Sequence, residues 1–216
     1  LVLGTDKVEV TGGLHVFGLD GRRRQVIGPL DRPNNVDVEY GMAGPDGANT
    51  DIAVVTERRR HRLRAFRIPA DGGALTDLAP DGLPVLTDAL GEASEPMGIG
   101  LYRRPRDGAV FAVVAPKTGG STGYLRQYRL EFSAGALQAR EVRRFGHFSQ
   151  RGAALGEIGE IEAIVVDDEL GFVYYADERF GLRKWHADPD HPDAGTELAA
   201  FGTDGYLGDR EGLALW

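Results

Sequence analysis

Cysteine is absent from the 216 residues, which excludes disulfides and thiolate metal sites and leaves the redox compartment open. No apolar run approaches the roughly 18 residues that would indicate a membrane span. No segment sustains a 3.6-residue hydrophobic period, so helix should be nearly absent. Lysine is scarce: Lys7, Lys117 and Lys184 stand against many arginines, which makes each lysine worth placing. The formal net charge of -8 argues against a nucleic-acid partner, because phosphate backbones recruit basic surfaces. No basic leader precedes "LVLGTDK", and the closing "EGLALW" reads as a strand with nothing after it, so both ends look cut.

What is present is a repeat. Apolar residues make up 42% of the chain and fall into short runs of Val, Ile, Leu, Phe and Tyr between Gly, Asp and Pro. "NNVDVEY" from Asn34, "PMGIGLY" from Pro96, "IEAIVVD" from Ile161 and "REGLALW" from Arg210 share one form. A second strand follows three of them, in "DIAVVTER", "VFAVVAPK" and "FVYYADER". A third carries a Leu-Arg core, in "RLRAFRI", "YLRQYRL" and "GLRKWHA". The fourth is weaker, in "ALTDLAP", "ALQAREVRRFG" and "TELAAFG". "LVLGTDK", "GLHVFGLDG" and "RQVIGPL" fit the last three members of an earlier unit. Four-strand units in series are the signature of an all-β fold, a β-propeller of four-stranded antiparallel blades. A remnant over 1–31, blades over 32–92, 93–157 and 158–206, and the first strand of another over 207–216 make about four blades. A β-sandwich would not predict that repeated order.

Strand parity then places the polar residues. In an antiparallel meander the entry to strand one and the exit from strand two lie at one end. That rim should collect Asn35, Met97, Glu162 and Glu211, with Asp209 beside the last, and Lys7, Arg58, Lys117, Asp177 and Glu178 from the exits. Converging carboxylates need protons or cations. With neither Cys nor His among them the donors are all oxygen, which suits Ca²⁺. The cationic members suit phosphate. Charged strand ends are also common as plain solvated edges.

At these residues the chain resembles the β-propeller phytases, calcium-dependent enzymes that release phosphate from myo-inositol hexakisphosphate. "GTDK…GGLHVFGLDG", "NNVDVEY", "DIAVVTER", "IEAIVVDDELGFVYYADE", "WHADPD" and "DREGLALW" carry the resemblance across essentially all 216 residues. It implies a six-bladed complete protein, hydrolysis by metal-activated water with several Ca²⁺ ions, and phytate bound as its calcium complex. It further implies that Glu162, Glu178, Asp209 and Glu211 hold catalytic calcium, that Lys7, Arg58 and Lys117 contact phosphate, and that the Val36 carbonyl binds a stabilising calcium. A monomeric, secreted or periplasmic protein is implied as well. Met97, where many relatives have a phosphate-contacting tyrosine, and Thr118, where some have an acid, depart from the pattern.

Two other readings compete: a non-catalytic calcium-stabilised binding module, and a metal-dependent lactonase-like hydrolase, which would have little use for the three cations. "GGSTG" (119–123) matches G-x-S-x-G, but it should link two strands, which leaves Ser121 a loop residue. "DPDHPDAG" from Asp188 is read as a turn, since Pro192 and Ala199 break the EF-hand pattern. The five histidines show no metal spacing. "ERRRHRLRAFR" suggests an outer strand with one solvated face, and Trp185, Tyr128 and Phe66 should pack between blades.

Overall fold

A computed structural model of the chain describes residues 1–149, 159–206 and 210–216. Described elements are β-strands and two short 3₁₀ turns, Arg58–Arg60 and Gly91–Ser94. The first sheet holds β1 (Val2–Thr5), β2 (Gly12–Phe17) and β3 (Arg23–Leu30). The second runs β4 (Pro33–Ala43), β5 (Asn49–Glu57) and β6 (Arg62–Ile68), and β6 also pairs with the two-residue strands β7 (Thr76–Asp77) and β8 (Leu83–Pro84). The third contains β9 (Pro96–Arg103), β10 (Val110–Pro116), β11 (Thr122–Ser133) and β12 (Ala136–His147). The fourth contains β13 (Ile164–Asp167), β14 (Phe172–Asp177), β15 (Gly181–His186) and β16 (Ala199–Phe201). Pairing is antiparallel throughout, in the all-β, propeller-type arrangement that the repeat implies.

The second strands explain the stacking. β5 and β10 are apolar at successive positions because each is covered on both faces. Ile52 and Val54 of β5 meet Ala112 and Val114 of β10 in one core, while Ala53 and Val55 join Leu14, Val16 and Leu30 of the first sheet. On β10, Phe111, Val113 and Ala115 turn the other way, onto Val173, Tyr175 and Trp185 of the fourth sheet. Phe66, Tyr128 and Trp185 each lie buried in one of these seams, as expected.

Three elements differ from the sequence reading. "REGLALW" forms no strand. The "ALTDLAP" strand shrinks to Thr76–Asp77, because Pro80 cannot donate to a ladder and the Asp77 carboxylate accepts the Ala79 N–H instead, at 2.9 Å. β6 has no solvated face: Arg64 is buried against Asp77, and Arg67 is the exposed arginine of the strand. Ser121 lies in the connection between β10 and β11, as expected, where its carbonyl accepts the Phe148 N–H at 3.0 Å.

Candidate active site at the strand-end rim

The ends of β4, β5 and β9 are locked together by one hydroxyl. Thr56, fully buried on β5, accepts the Asn35 N–H at 3.0 Å and donates to the Met97 carbonyl at 2.9 Å. Gly98 lets the segment before β13 approach: a Cβ there would lie 2.6 Å from the carbonyl oxygens of Ile161 and Glu162. These contacts bring the strand-one entries and strand-two exits to one rim.

Lys7 sits in the β1–β2 loop, which Asp6 organises by accepting the Val8 and Gly13 N–H groups. Its Nζ donates to Glu162 Oε2 at 2.9 Å. Asn34 Nδ2 donates to Glu162 Oε1 at 3.3 Å, and Asn35 Nδ2 to the Glu162 carbonyl at 3.1 Å. Glu211 is hydrogen-bonded to the same carboxylate. Burial pushes the Glu162 carboxyl up, but the Lys7 ammonium and these bonds outweigh it and hold the group below its ordinary value.

Arg58 opens the 3₁₀ turn after β5 and is buried, unlike its neighbours Arg59 and Arg60. Its Nε and Nη2 donate to Glu95 Oε2 at 3.1 and 2.7 Å, while Glu95 Oε1 takes Arg59. The Glu95 carbonyl accepts the backbone N–H of Lys117 at 2.9 Å. The Lys117 ammonium donates to Glu160, whose own N–H donates to Glu178 Oε2 at 2.7 Å. Arg210 donates to the Glu178 carbonyl. Lys7, Arg58, Lys117, Glu162, Glu178 and Glu211 therefore belong to one connected rim. Asp209 lies outside the described residues.

Two expected rim members turn elsewhere. Asp177 is fully buried and accepts from Ser149 N and Oγ, both at 2.9 Å, and from Arg183 Nε at 3.0 Å, because alternation along β14 points it away from Glu178. Met97 is fully buried and contributes only its carbonyl.

Below the rim a cavity of about 390 Å³ runs between β4, β9 and β13, lined at the top by Val36, Glu162 and Glu211. Farther down it holds three acids that the sequence reading did not single out, Asp37, Glu39 and Asp168. They cap the inner strands' unpaired donors: Asp37 accepts Leu101 N–H at 2.7 Å, Asp168 accepts Arg103 N–H at 3.0 Å, and Glu39 accepts Tyr40 N–H at 2.7 Å. Burial raises all three above ordinary values, Glu39 to about 7, and Glu39 is hydrogen-bonded to Asp168. The signal was readable in "VDVEY", where period-two spacing puts Asp37 and Glu39 on one face. A larger cavity of about 540 Å³ opens at the opposite end of β4, near Pro45, Asp107 and Arg129, away from the rim.

The fold brings donor atoms of His186, His191 and Asp193 within 4.8 Å of one another, although their spacing suggests no metal. The two imidazoles are stacked at 3.5 Å and 17°, so their in-plane lone pairs run alongside each other, and His191 Nδ1 accepts the Asp193 N–H at 3.1 Å. As placed, the group is a packed pair.

The rim's donor chemistry fits calcium. Glu162 and Glu211 are carboxylates in contact, and the buried Oδ1 of Asn34, which also bonds Glu162 through its amide nitrogen, has no hydrogen-bond partner. An all-oxygen set with one unsatisfied member suits a hard cation.

A family model described as Phytase matches residues 2–216. The chain is 28% identical over 207 residues to a 3-phytase of Bacillus subtilis, with 94% of this chain and 49% of that protein covered. It therefore spans about half the length of that curated relative. Among solved structures, a Lactobacillus plantarum protein superposes with a TM-score of 0.53 at 16% identity, covering 93% of this chain and 51% of that one. A proposed 6-phosphogluconolactonase of Bacteroides uniformis gives 0.53 at 13% identity, covering 95% and 55%. These two show likeness of fold alone.

Proposed function

The chain belongs to the phytase family, and on that premise we propose that it contributes the phosphate-binding rim of a calcium-dependent phosphomonoesterase acting on phytate. The observation that carries this reading is the joined rim, in which three cations from successive sheets meet carboxylates from the sheets beyond them. A lactonase would need the acids and not the cations, and its support is likeness of fold alone.

Glu162, Glu178, Asp209 and Glu211 would hold calcium at the mouth, and the Val36 carbonyl a stabilising ion. Calcium, when bound, supplies Lewis-acid neutralisation of phosphate oxygens and lowers the pKa of a coordinated water. Lys7, Arg58 and Lys117 act on the transferring phosphoryl group. They would donate to its equatorial oxygens, where negative charge accumulates as the water oxygen bonds to phosphorus, its proton passing to solvent, and the inositol oxygen departs and takes up a proton from solvent. Glu162 orients Lys7 while Lys7 keeps Glu162 ionised, so one contact prepares a phosphate donor and an oxygen ligand together. No covalent nucleophile is required. Met97 offers no side-chain donor, so phosphate positioning rests on the cations.

The substrate is a small anion presented as its calcium complex, and the protein acts as a secreted or periplasmic monomer. Among the described residues no helix is long and apolar enough to cross a membrane. A calcium titration of the intact protein tests the reading. Phosphate release from phytate that rises with calcium and disappears in Glu162→Ala supports it. Opening of a lactone, or calcium binding without turnover, replaces it with one of the other two readings.

A further inference from the structure

The rim contacts repeat from sheet to sheet. Arg58, at the exit of β5, pairs with Glu95, just before β9 of the next sheet. Lys117, at the exit of β10, pairs with Glu160, ahead of β13 in the sheet after that. Glu95 and Glu160 hold the same place in the repeat, two residues before Met97 and Glu162. These two seams thus close with a cation from one sheet and an acid from the next.

The Glu95 clasp has a further property. Both contacts from Arg58, through Nε and Nη2, end on a single oxygen, Oε2. Nη1 makes no hydrogen bond among the described residues, and the side chain is 5% exposed. The guanidinium is therefore fixed through one edge, which leaves Nη1 as the nitrogen without a protein acceptor. Arg59 holds the other carboxylate oxygen and is itself held by Glu9 at 2.8 Å, so the Glu95 side chain is fixed from behind. Through its carbonyl, Glu95 also fixes the backbone of Lys117. One acid thereby sets the placement of two phosphate-facing cations.

We propose that Glu95 is a positioning residue for phosphate recognition, acting through Arg58, and that Glu160 does the same for Lys117. The inference rests on the phosphomonoesterase reading above. Neither acid contacts substrate in this scheme. Each restrains its cation, so that substrate binding need not meet the ordering cost of a long side chain.

A double-mutant cycle in the calcium-loaded intact protein tests this, using phytate turnover and inhibition by inorganic phosphate. Glu95→Ala should lower kcat/KM by about 10-fold or more and weaken phosphate inhibition, yet change kcat/KM less than about 2-fold when Arg58 is already Ala. Glu95→Gln keeps an acceptor for Arg58 and should recover part of the loss, which also covers the case of a poorly folding Ala variant. Glu160→Ala should couple in the same way with Lys117→Ala. If Glu95→Ala and Arg58→Ala have independent, multiplying effects, or if Glu95→Ala lowers only the melting temperature, the positioning role is wrong while the phosphatase reading stands. If Arg58→Ala releases phosphate as fast as the parent, the cation assignment fails and the proposal with it.

Discussion

Lys7 Nζ lies 2.9 Å from Glu162 Oε2, although 155 positions separate the two residues in the chain. The first sheet and the fourth therefore meet at the rim. Lys7 is about half exposed, at 45%, so the pair adds little to stability, under ~1 kcal/mol once solvent screening is counted. Lys7→Gln should leave urea unfolding in chelator nearly unchanged. Phosphate release from phytate should fall by roughly 100-fold, the order expected for a lost transition-state donor. Equal losses of stability and turnover would remove Lys7 from the reaction.

Gly98 marks a close backbone approach between the third sheet and the segment that leads into the fourth. In Gly98→Ala the new methyl would press on two carbonyl oxygens at 2.6 Å, neither of which belongs to a flexible side chain. A destabilisation of about 1–3 kcal/mol is expected, together with weaker calcium dependence because Glu162 must move. Equilibrium unfolding and a calcium titration on the same variant check both effects.

Glu39 sets a pH dependence of its own. Burial lifts its folded-state pKa to about 7 from an ordinary value of 4.5, so the native state holds the proton more tightly than the unfolded chain. Its favourable share is complete below pH ~4.5 and is lost as pH rises through about 7, a change on the order of 3 kcal/mol. Glu39→Gln, neutral at every pH, should raise the melting temperature at pH 8 in chelator and do little at pH 5. A uniform shift at both values would contradict the account.

Asp177 and Glu178 are adjacent and should behave as opposites. Asp177→Asn weakens a fully buried pair with Arg183 and should cost about 3–5 kcal/mol without altering turnover per folded molecule. Glu178→Gln should spare most of the stability and remove calcium-dependent turnover. Thermal melts and active-site-normalised rates distinguish the two.

The repeat made the fold legible, because strand alternation and turn residues are local properties that a single sequence displays. Parity also places the six described rim residues from Lys7 to Glu211. It failed at Asp177, where one step along β14 reverses the facing, and at β6, where Arg64 is covered by a neighbouring turn that no local pattern reveals. Glu95 and Glu160 were visible as a shared repeat position, yet their role depends on which cation each meets across a seam. The cavity acids Asp37 and Glu39 were equally visible in "VDVEY". Their function as caps for Leu101 and Tyr40 donors depends on how the inner strands sit beside one another.

The alternating allegiance of β10 has a genetic consequence. Ala112 and Val113 are neighbours in the chain but answer to different sheets, so a volume change at one must be compensated on the left and at the other on the right. Inserting a single codon within this strand would exchange every such partnership on one side of the insertion, whereas the same insertion in the connections over 104–109 or 118–121 would exchange none. Drift in length should accumulate in those connections, leaving the strand interiors to change only by matched substitution.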